Sequence, residues 1–171
     1  MAVVNGVNVD TLMAAIGAVK ENPEVGKKAF TVETTWLGGT ASESKIGGFT
    51  VRADEPIELG GTNTAPNPVV ITMAALGSCL LTGFAANAAA MGIPIDSMRI
   101  VTDSTLDLRG FFGLSEDVRP GLQTLKFTTY IKSNAPKEKL EALRKHVEKT
   151  SPCGDICANQ IKAVMTNIVF E

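Results

Sequence analysis

The stretch NPVVITMAALGSCLLTGFAANAAAMG at residues 67–92 decides the fold, because it predicts one long helix. Asn67 is a residue type favoured at a helix N-cap, and Pro68 suits the first helical position, where its missing N–H costs nothing. Gly92, followed by Pro94, ends the helix. The composition predicts about six helical turns that are apolar on all sides. We expect this central helix to be buried on every face.

The central helix lies in a run from Leu59 to Ile95 without a charged side chain, and such a run could also span a membrane. However, it is rich in Ala, Gly and Thr, its flanks carry no Lys/Arg cluster, and strand-like sequence lies on both sides. We therefore interpret it as a core helix and expect no membrane association. Small residues recur at spacings of three and four on one helical face: Ala75, Cys79, Gly83 and Ala86.

The composition is that of an ordinary globular domain. The 171 residues are 44% apolar with a formal net charge of -2, which predicts a single domain over 1–171. The 16 basic and 18 acidic residues are interspersed and aromatic residues are few, so nucleic-acid binding is not expected. No signal peptide pattern opens the chain, and three cysteines, an odd number, are typical of a reducing compartment. We expect a cytoplasmic protein.

The segments before the central helix predict a helix and a β-hairpin. Residues 1–26 form a helical appendage with Asn8 or Asp10 as N-cap, ended by Pro23 and Gly26. The alternating stretches 28–37 and 45–53 predict two antiparallel strands joined by a turn at Gly38-Gly39-Thr40. A Pro/Gly/Asn-rich loop at 54–66 then leads to the central helix.

The segments after the central helix predict two strands, a helix and a final strand. The strands cover 95–108 and 122–132, and the loop between them carries Phe111 and Phe112, which either cover a site or fold onto their own sheet. An amphipathic helix follows, with Ser133 or Asn134 as N-cap and three inward residues: Leu140, Leu143 and Val147. SPCGDICANQ predicts a short helix or turn, and 161–170 a last strand. Consecutive hairpins with helices on one face define an α+β fold.

The candidate nucleophiles are Cys79, Cys153 and Cys157. Cys79 lies about three turns into its helix, beyond the reach of the helix dipole, so only a neighbouring cation or donor could activate it. Without one it would be an inert apolar residue. Cys153 and Cys157 are four residues apart, close enough for a disulfide or for two metal ligands. Because the only histidine, His146, lies on the preceding helix, we expect no metal site and no Cys-His hydrolase.

Several motifs resemble the osmotically inducible protein C and organic hydroperoxide resistance family (OsmC/Ohr). They span nearly the whole chain: NGVNVDTL, ADEP, GGTNTAPNPV, AALGSCLL, MGIPI, LDLRGFFGL and SPCGDICANQI. The resemblance implies an OsmC-like α+β fold with antiparallel sheets and a long buried central helix, in an intertwined homodimer with two cysteine sites at its interface. In active members, a helix cysteine reduces an organic hydroperoxide through a sulfenic acid, a second cysteine closes a disulfide, and a dithiol resets the pair.

Carried over residue by residue, the resemblance makes Cys79 the peroxide-attacking cysteine. Active members usually have an acidic residue after the Asn-Pro that opens the helix, where this chain has Val69. They have an arginine after the Gly-Gly turn, where this chain has Thr40. Their second cysteine directly precedes a proline, a position held here by Ser151, with Cys153 two residues further on.

Two functions are therefore expected as alternatives. The first is a thiol peroxidase acting on organic hydroperoxides, with Cys79 as nucleophile, Cys153 as resolving thiol and Cys157 as second choice. A nearby guanidinium would raise the thiolate fraction, and Arg109 is the first candidate, before Arg52 and Arg119. A dithiol would be the reductant, and no cofactor is expected. The alternative is a non-catalytic relative that binds a small hydrophobic or acyl ligand in the interface crevice.

Overall fold

A computed structural model describes residues 2–159 and 168–169 of the chain, which form a mixed helix and sheet fold with antiparallel strands. The strands in this part of the chain are β1 (Val3–Val4), β2 (Val7–Asn8), β3 (Glu33–Gly38), β4 (Ala41–Ile46), β5 (Phe49–Ala53), β6 (Ser97–Thr105) and β7 (Thr124–Lys132). The helices are α1 (Val9–Glu21), α2 (Pro68–Ala90), α3 (Leu108–Phe111), α4 (Lys137–Thr150) and α5 (Pro152–Ala158). The α+β class predicted from the sequence is confirmed.

Helix α2 begins and ends as the sequence predicts. The Asn67 side chain accepts a hydrogen bond from the Val70 N–H at 2.8 Å, and Pro68 occupies the first helical position. Gly92, just past the end, has φ +65, a conformation that favours glycine. Among the described residues, α2 is the one helix long and apolar enough to span a membrane, judged by length and composition alone.

The core lies between α2, α4 and the β6–β7 sheet. Its buried members are Leu80, Phe84, Ala88, Ile93, Leu143 and Val147. Leu143 and Val147 of α4 are fully buried against α2, which confirms the inward face predicted for that helix. On the opposite side, Ile100 and Phe127 of the sheet pack against the same cluster. Burial of this apolar surface is the main source of the stability of this unit.

Helix α2 is buried along one side only. Its buried residues are Leu76, Gly77, Leu80, Phe84, Ala88 and Ala89, and Val70 is 51% exposed. The expectation that every face is buried is therefore not confirmed within the single chain. A large part of this apolar helix faces outward.

The N-terminal region contains the predicted helix and a short hairpin that the sequence reasoning missed. Asn8 caps α1 by accepting from the Thr11 N–H at 3.0 Å. Before it, β1 pairs with β2 through a turn in which Asn5 and Gly6 have φ of +53 and +77. Asn-Gly is the residue pair that such a turn favours. The Asn5 side chain also bonds the Ile93 carbonyl and the Ile95 N–H, both at 2.9 Å, and so joins this region to the end of α2.

The predicted hairpin at 28–37 and 45–53 is wrong in detail, because the structure has three strands there. β3 pairs with β4 and β4 with β5, both antiparallel. The second predicted strand is interrupted at Gly47, whose φ of +59 turns the chain. The extra strand, β4, is largely polar, which is why its strand character escaped notice.

The predicted N-cap of the amphipathic helix is also wrong. Helix α4 begins at Lys137 with Pro136 as N-cap, and not at Ser133 or Asn134. Proline disfavours helical geometry in the residue before it, so the helix cannot start earlier. The Ser133 hydroxyl instead donates to the Pro94 carbonyl at 2.5 Å and accepts from the Ala135 N–H at 3.1 Å. It thereby closes the turn between β7 and α4.

The β6–β7 pair is antiparallel, with Ser97 opposite Lys132 and Thr105 opposite Thr124. The loop between them holds α3, where the rings of Phe111 and Phe112 lie 5.1 Å apart and are more than half exposed. They are therefore not folded onto their own sheet. The strand predicted at 161–170 falls almost entirely outside the described residues.

Candidate active site

Cys79 opens into a crevice between α2 and the junction of α4 with α5. The crevice has a volume of about 320 Å³ and is lined by Cys79, Thr82, Gly83, Ala86, Asn87, Val147, Thr150, Ser151 and Pro152. Small residues on α2 make it possible, since a Cβ at Gly83 would lie 3.1 Å from Cγ1 of Val147. Gly83, a member of the small-residue face predicted for α2, is thus a point at which α4 comes close to the helix.

Ser151 holds the start of α5 against Cys79. Its side-chain oxygen accepts the Gly154 N–H at 3.1 Å as the N-cap of α5, and the residue is buried. The same oxygen lies 3.6 Å from the Cys79 Sγ. Because the bond to Gly154 uses the hydroxyl as an acceptor, its single proton is available for the sulfur. Ser151 can therefore donate a hydrogen bond to a Cys79 thiolate.

The surroundings of Cys79 favour its thiolate. Burial raises the pKa of Cys79, but the backbone N–H of Cys153, the Ser151 hydroxyl and the Cys153 thiol all hydrogen-bond to the sulfur and lower it. The hydrogen bonds outweigh burial, so the pKa of Cys79 lies below the ordinary value for a cysteine. Since the thiolate is the nucleophilic form, Cys79 is the activated member of the site.

The pKa of Cys153 is shifted in the opposite direction. Burial raises it, as do the hydrogen bond that its thiol makes to Cys79 and the negative charges of Cys79 and Cys157. Of the two thiols, Cys79 is therefore the one whose ionisation is favoured. Cys157 lies one turn further along α5 and is exposed. The structure thus brings together the predicted Cys79 and Cys153 and places Cys157 beside them at the surface.

Two of the three arginine candidates, Arg109 and Arg52, lie in local ion pairs within the single chain. Arg109 on α3 binds Asp107 through its Nε and Nη2 atoms, and this contact lowers the pKa of Asp107 to about 2. Arg52 binds Glu43 at 2.9 Å. Within the described residues, the groups that lower the pKa of Cys79 come from Ser151 and Cys153 and not from an arginine. A role for Arg109 stays a prediction.

Thr40, which stands where active relatives carry an arginine, is part of a polar cluster built on Asp54. The Asp54 carboxylate is 1% exposed and accepts the Thr40 hydroxyl at 2.6 Å. It also accepts the hydroxyl and N–H of both Thr62 and Thr64, and the N–H of Glu55. These bonds hold the pKa of Asp54 far below its usual range. The sequence reasoning missed this cluster, although an acid after a strand, followed by closely spaced threonines, is a visible signal.

No metal-binding arrangement is present among residues 2–159 and 168–169, where no group of three or more His, Cys, Asp or Glu side chains converges. His146 lies exposed on α4, and its carbonyl accepts the Thr150 hydroxyl at 2.8 Å.

The fold and the site define an α+β protein with a cysteine crevice on its central helix. The sequence model of the OsmC-like protein family matches residues 61–165, and the chain belongs to that family. No curated protein matches the chain.

Solved structures support the fold at low sequence identity. The OsmC-like protein of Mycoplasma pneumoniae has a TM-score of 0.68 at 15% identity, over 78% of this chain and 90% of that one. An organic hydroperoxide resistance protein of Elizabethkingia anophelis gives 0.60 at 18% identity, over 78% and 92%. The organic hydroperoxide resistance protein OsmC of Legionella pneumophila gives 0.57 at 19%, over 76% and 90%.

Proposed function

We propose that this protein is a thiol peroxidase that reduces organic hydroperoxides, with Cys79 as nucleophile and Cys153 as resolving cysteine. The observation that carries the proposal is the contact of Cys79, which lines the crevice and lies 3.6 Å from the Ser151 hydroxyl, with the neighbouring Cys153, whose pKa is shifted in the opposite direction. The family and the hydroperoxide resistance proteins that share the fold support the same chemistry.

The proposed reaction uses the opposite pKa shifts of the two thiols. The Cys79 thiolate attacks the terminal peroxide oxygen, the O–O bond breaks, and the alcohol leaves after taking up a proton. Cys79 is then a sulfenic acid. The Cys153 sulfur attacks the Cys79 sulfur, expels water and forms a Cys79–Cys153 disulfide. An external dithiol reduces that disulfide and restores both thiols.

The lining of the crevice favours a hydroperoxide with an apolar substituent. Val147, Pro152 and Ala86 supply carbon surface beside the Cys79 sulfur, while Asn87 and Thr82 supply polar groups. An alkyl or aryl group of the hydroperoxide can bury its surface against Val147, Pro152 and Ala86, as ligands do in most small-molecule sites. We propose organic hydroperoxides as the substrates for this reason.

The surface of the chain favours a homodimer. Thr35 and Trp36 are neighbours on β3 in regular register with β4, so they project from opposite faces of the sheet, yet both are exposed, Trp36 to 74%. Phe49 on β5 is 78% exposed. A sheet uncovered on both faces, together with the outward side of α2, needs a partner. We propose a second copy, whose side chains would complete the walls of each crevice and could bring a cation near Cys79.

A second candidate function is a non-catalytic binding protein for a small hydrophobic or acyl ligand. It is favoured by one observation, namely that Thr40 is bonded to Asp54 where active relatives have an arginine. In this alternative Cys79 would be an ordinary part of the crevice lining. Its alkylation by iodoacetamide at neutral pH would be slow.

One single-turnover experiment separates the two functions. The reduced protein is mixed with one equivalent of cumene hydroperoxide, and the loss of peroxide is followed together with dimedone trapping of sulfenic acid. We expect the wild type and Cys157→Ser to consume the equivalent rapidly, and Cys79→Ser to consume none. Cys157→Ser is the matched control for loss of a thiol. Equal consumption by Cys79→Ser would remove Cys79 from the reaction, and slow alkylation of Cys79 in the wild type would favour the binding protein.

A further inference from the structure

Three thiols lie in sequence from the crevice to the surface. Cys79 and Cys153 are half-buried and interact, and Cys157 is exposed one helical turn beyond Cys153. Cys153 and Cys157 are four residues apart on α5, so they lie on the same face of that helix. The proposed peroxidase chemistry uses the first two thiols and leaves the third without a role.

Helix α5 allows Cys153 and Cys157 to form a bond. The Asp155 and Asn159 N–H groups donate to the carbonyls of Ser151 and Asp155, both at 2.9 Å, so the turn between the cysteines is helical. Residues four apart on a helix have Cα atoms about 6 Å apart, within the range of disulfides. Their Cβ atoms are about 5–6 Å apart, more than the roughly 3.5–4.5 Å of a disulfide, so the bond forms when the last turn of α5, which contains Cys157, unwinds. Gly154 lies between them and adds no side chain that would hinder the exchange.

We propose that Cys157 is the exit thiol of a three-cysteine relay, which passes the disulfide from the crevice to the surface. In the first step, which is the proposed function on which the relay depends, the hydroperoxide and Cys153 produce a Cys79–Cys153 disulfide. The Cys157 thiolate then attacks the Cys153 sulfur. The Cys153–Cys157 bond forms, the Cys79–Cys153 bond breaks, and Cys79 leaves as a thiolate. An external dithiol finally reduces the exposed disulfide, and its own two thiols become a disulfide.

The direction of the exchange follows from the leaving group. A thiolate leaves more readily the better it is stabilised. When Cys79 leaves as a thiolate, hydrogen bonds from the Ser151 hydroxyl and the Cys153 N–H stabilise its negative charge. Attack at Cys153 is therefore favoured over attack at Cys79, because it expels the stabilised thiolate.

The exchange also makes the disulfide accessible to an external dithiol. A Cys79–Cys153 disulfide would join two half-buried residues, which a dithiol in solvent reaches less readily than an exposed one. Cys157 is exposed, so a disulfide that includes it can be reached from solvent. The relay returns Cys79 to its thiolate state before any reductant has entered the crevice.

The number of peroxide equivalents consumed without reductant tests the relay. Two equivalents of cumene hydroperoxide are added to the reduced full-length protein. We expect the wild type to consume both, because the exchange frees Cys79 for a second attack. Cys157→Ser should consume only one, a twofold difference, because it stops at the Cys79–Cys153 disulfide. Cys157 is exposed, so this variant is not expected to disturb folding.

Peptide mapping after one equivalent identifies the bond directly. Trypsin with a protease that cleaves before Asp155 separates Cys153 in TSPCG (150–154) from Cys157 in DICANQIK (155–162). We expect these two peptides to be linked in the wild type, with Cys79 free to be alkylated. In Cys157→Ser, the peptide that contains Cys79 should be linked to TSPCG. A persistent Cys79–Cys153 bond in the wild type, or a direct Cys79–Cys157 bond, would overturn the relay.

A second oxidant separates failure of the relay from failure of the proposed function. One equivalent of 4,4′-dithiodipyridine oxidises two thiols of a chain without any peroxide chemistry. If the wild type consumes no hydroperoxide, the peroxidase proposal fails, and the mapping after dithiodipyridine still decides the exchange. A Cys153–Cys157 bond with Cys79 free supports it, and any other pairing in the wild type overturns it.

Discussion

The two main sheets of this chain have similar strands and opposite environments. The β6–β7 pair packs Ile100 and Phe127 against α2 and α4 and so belongs to a core that the chain completes alone. The β3–β5 sheet leaves Trp36 and Phe49 exposed and has no such cover within the described residues. The comparison indicates that one half of the molecule buries a core within the chain, whereas the apolar residues of the other half would be buried in the proposed dimer.

The largest expected effect is a loss of unfolding free energy from a substitution in the core between α2, α4 and the β6–β7 sheet. Leu143→Ala removes a fully buried side chain from between α2 and α4, and we expect it to lower the free energy of unfolding by about 3 kcal/mol. Leu114→Ala, at an exposed position, should change it by less than about 0.5 kcal/mol. Urea denaturation followed by circular dichroism measures both. Equal effects of the two substitutions would mean that the α2–α4 contact is not the centre of the core.

The second prediction concerns the half that is exposed. Trp36→Ala should weaken the proposed dimer by about 2 kcal/mol or more, roughly thirtyfold in dissociation constant, because large aromatic residues dominate such interfaces. Analytical ultracentrifugation over a concentration series gives the constant. Val3→Ala, which also removes an exposed apolar side chain but outside this sheet, is the matched control. A wild type that remains a folded monomer at micromolar concentration would contradict the proposed dimer.

The sequence predicted the half that contains α2, α4, β6 and β7 better than the half that contains the β3–β5 sheet. Helix α2 has an N-cap, an N1 proline and a terminal glycine, and α4 has its apolar residues at helical spacing, so local rules sufficed for both. Strand β4 was missed because its polar residues carry little periodic signal, and what stabilises it is pairing with strands on both sides. A periodic pattern of apolar residues arises where side chains are buried within the chain, and few residues of the β3–β5 sheet are buried in this way.

The candidate site shows the same limit. The prediction that Cys79 is the attacking cysteine came from a resemblance, and the prediction that it lies on α2 came from local pattern. The hydrogen bond from Ser151 could not be predicted, since it joins residues 72 positions apart and requires α5 to dock on α2. Asp54 was missed for a related reason, because its partners Thr40, Thr62 and Thr64 are brought together only by the folded loop.

The third prediction concerns Asp54, which joins the exposed sheet to the loop before α2. Its pKa is lowered in the folded protein, so it contributes stability that is fully present above the unfolded-state pKa of about 4 and is lost as pH falls below that value. Asp54→Asn should lower the Tm at neutral pH by about 5 °C or more and flatten the loss of stability between about pH 4 and pH 2. Thermal unfolding as a function of pH tests this. Asp117→Asn, an exposed acid, is the control.

The smallest expected effect is that of Ser151→Ala, which removes the hydroxyl donor to the Cys79 thiolate. The pKa of Cys79 should rise, and its alkylation by iodoacetamide at neutral pH should slow by roughly threefold to tenfold. Ser151 also caps α5, so a loss of helix stability must be distinguished from a loss of the donor. Ser151→Thr keeps a hydroxyl in both roles and should restore the rate, and Ser78→Ala, exposed on α2 next to Cys79, should leave it unchanged. Alkylation of Cys79, measured by mass spectrometry as a function of pH, should give a curve shifted to higher pH for Ser151→Ala alone. An unshifted curve would mean that the contact between Ser151 and Cys79 contributes nothing to the thiolate.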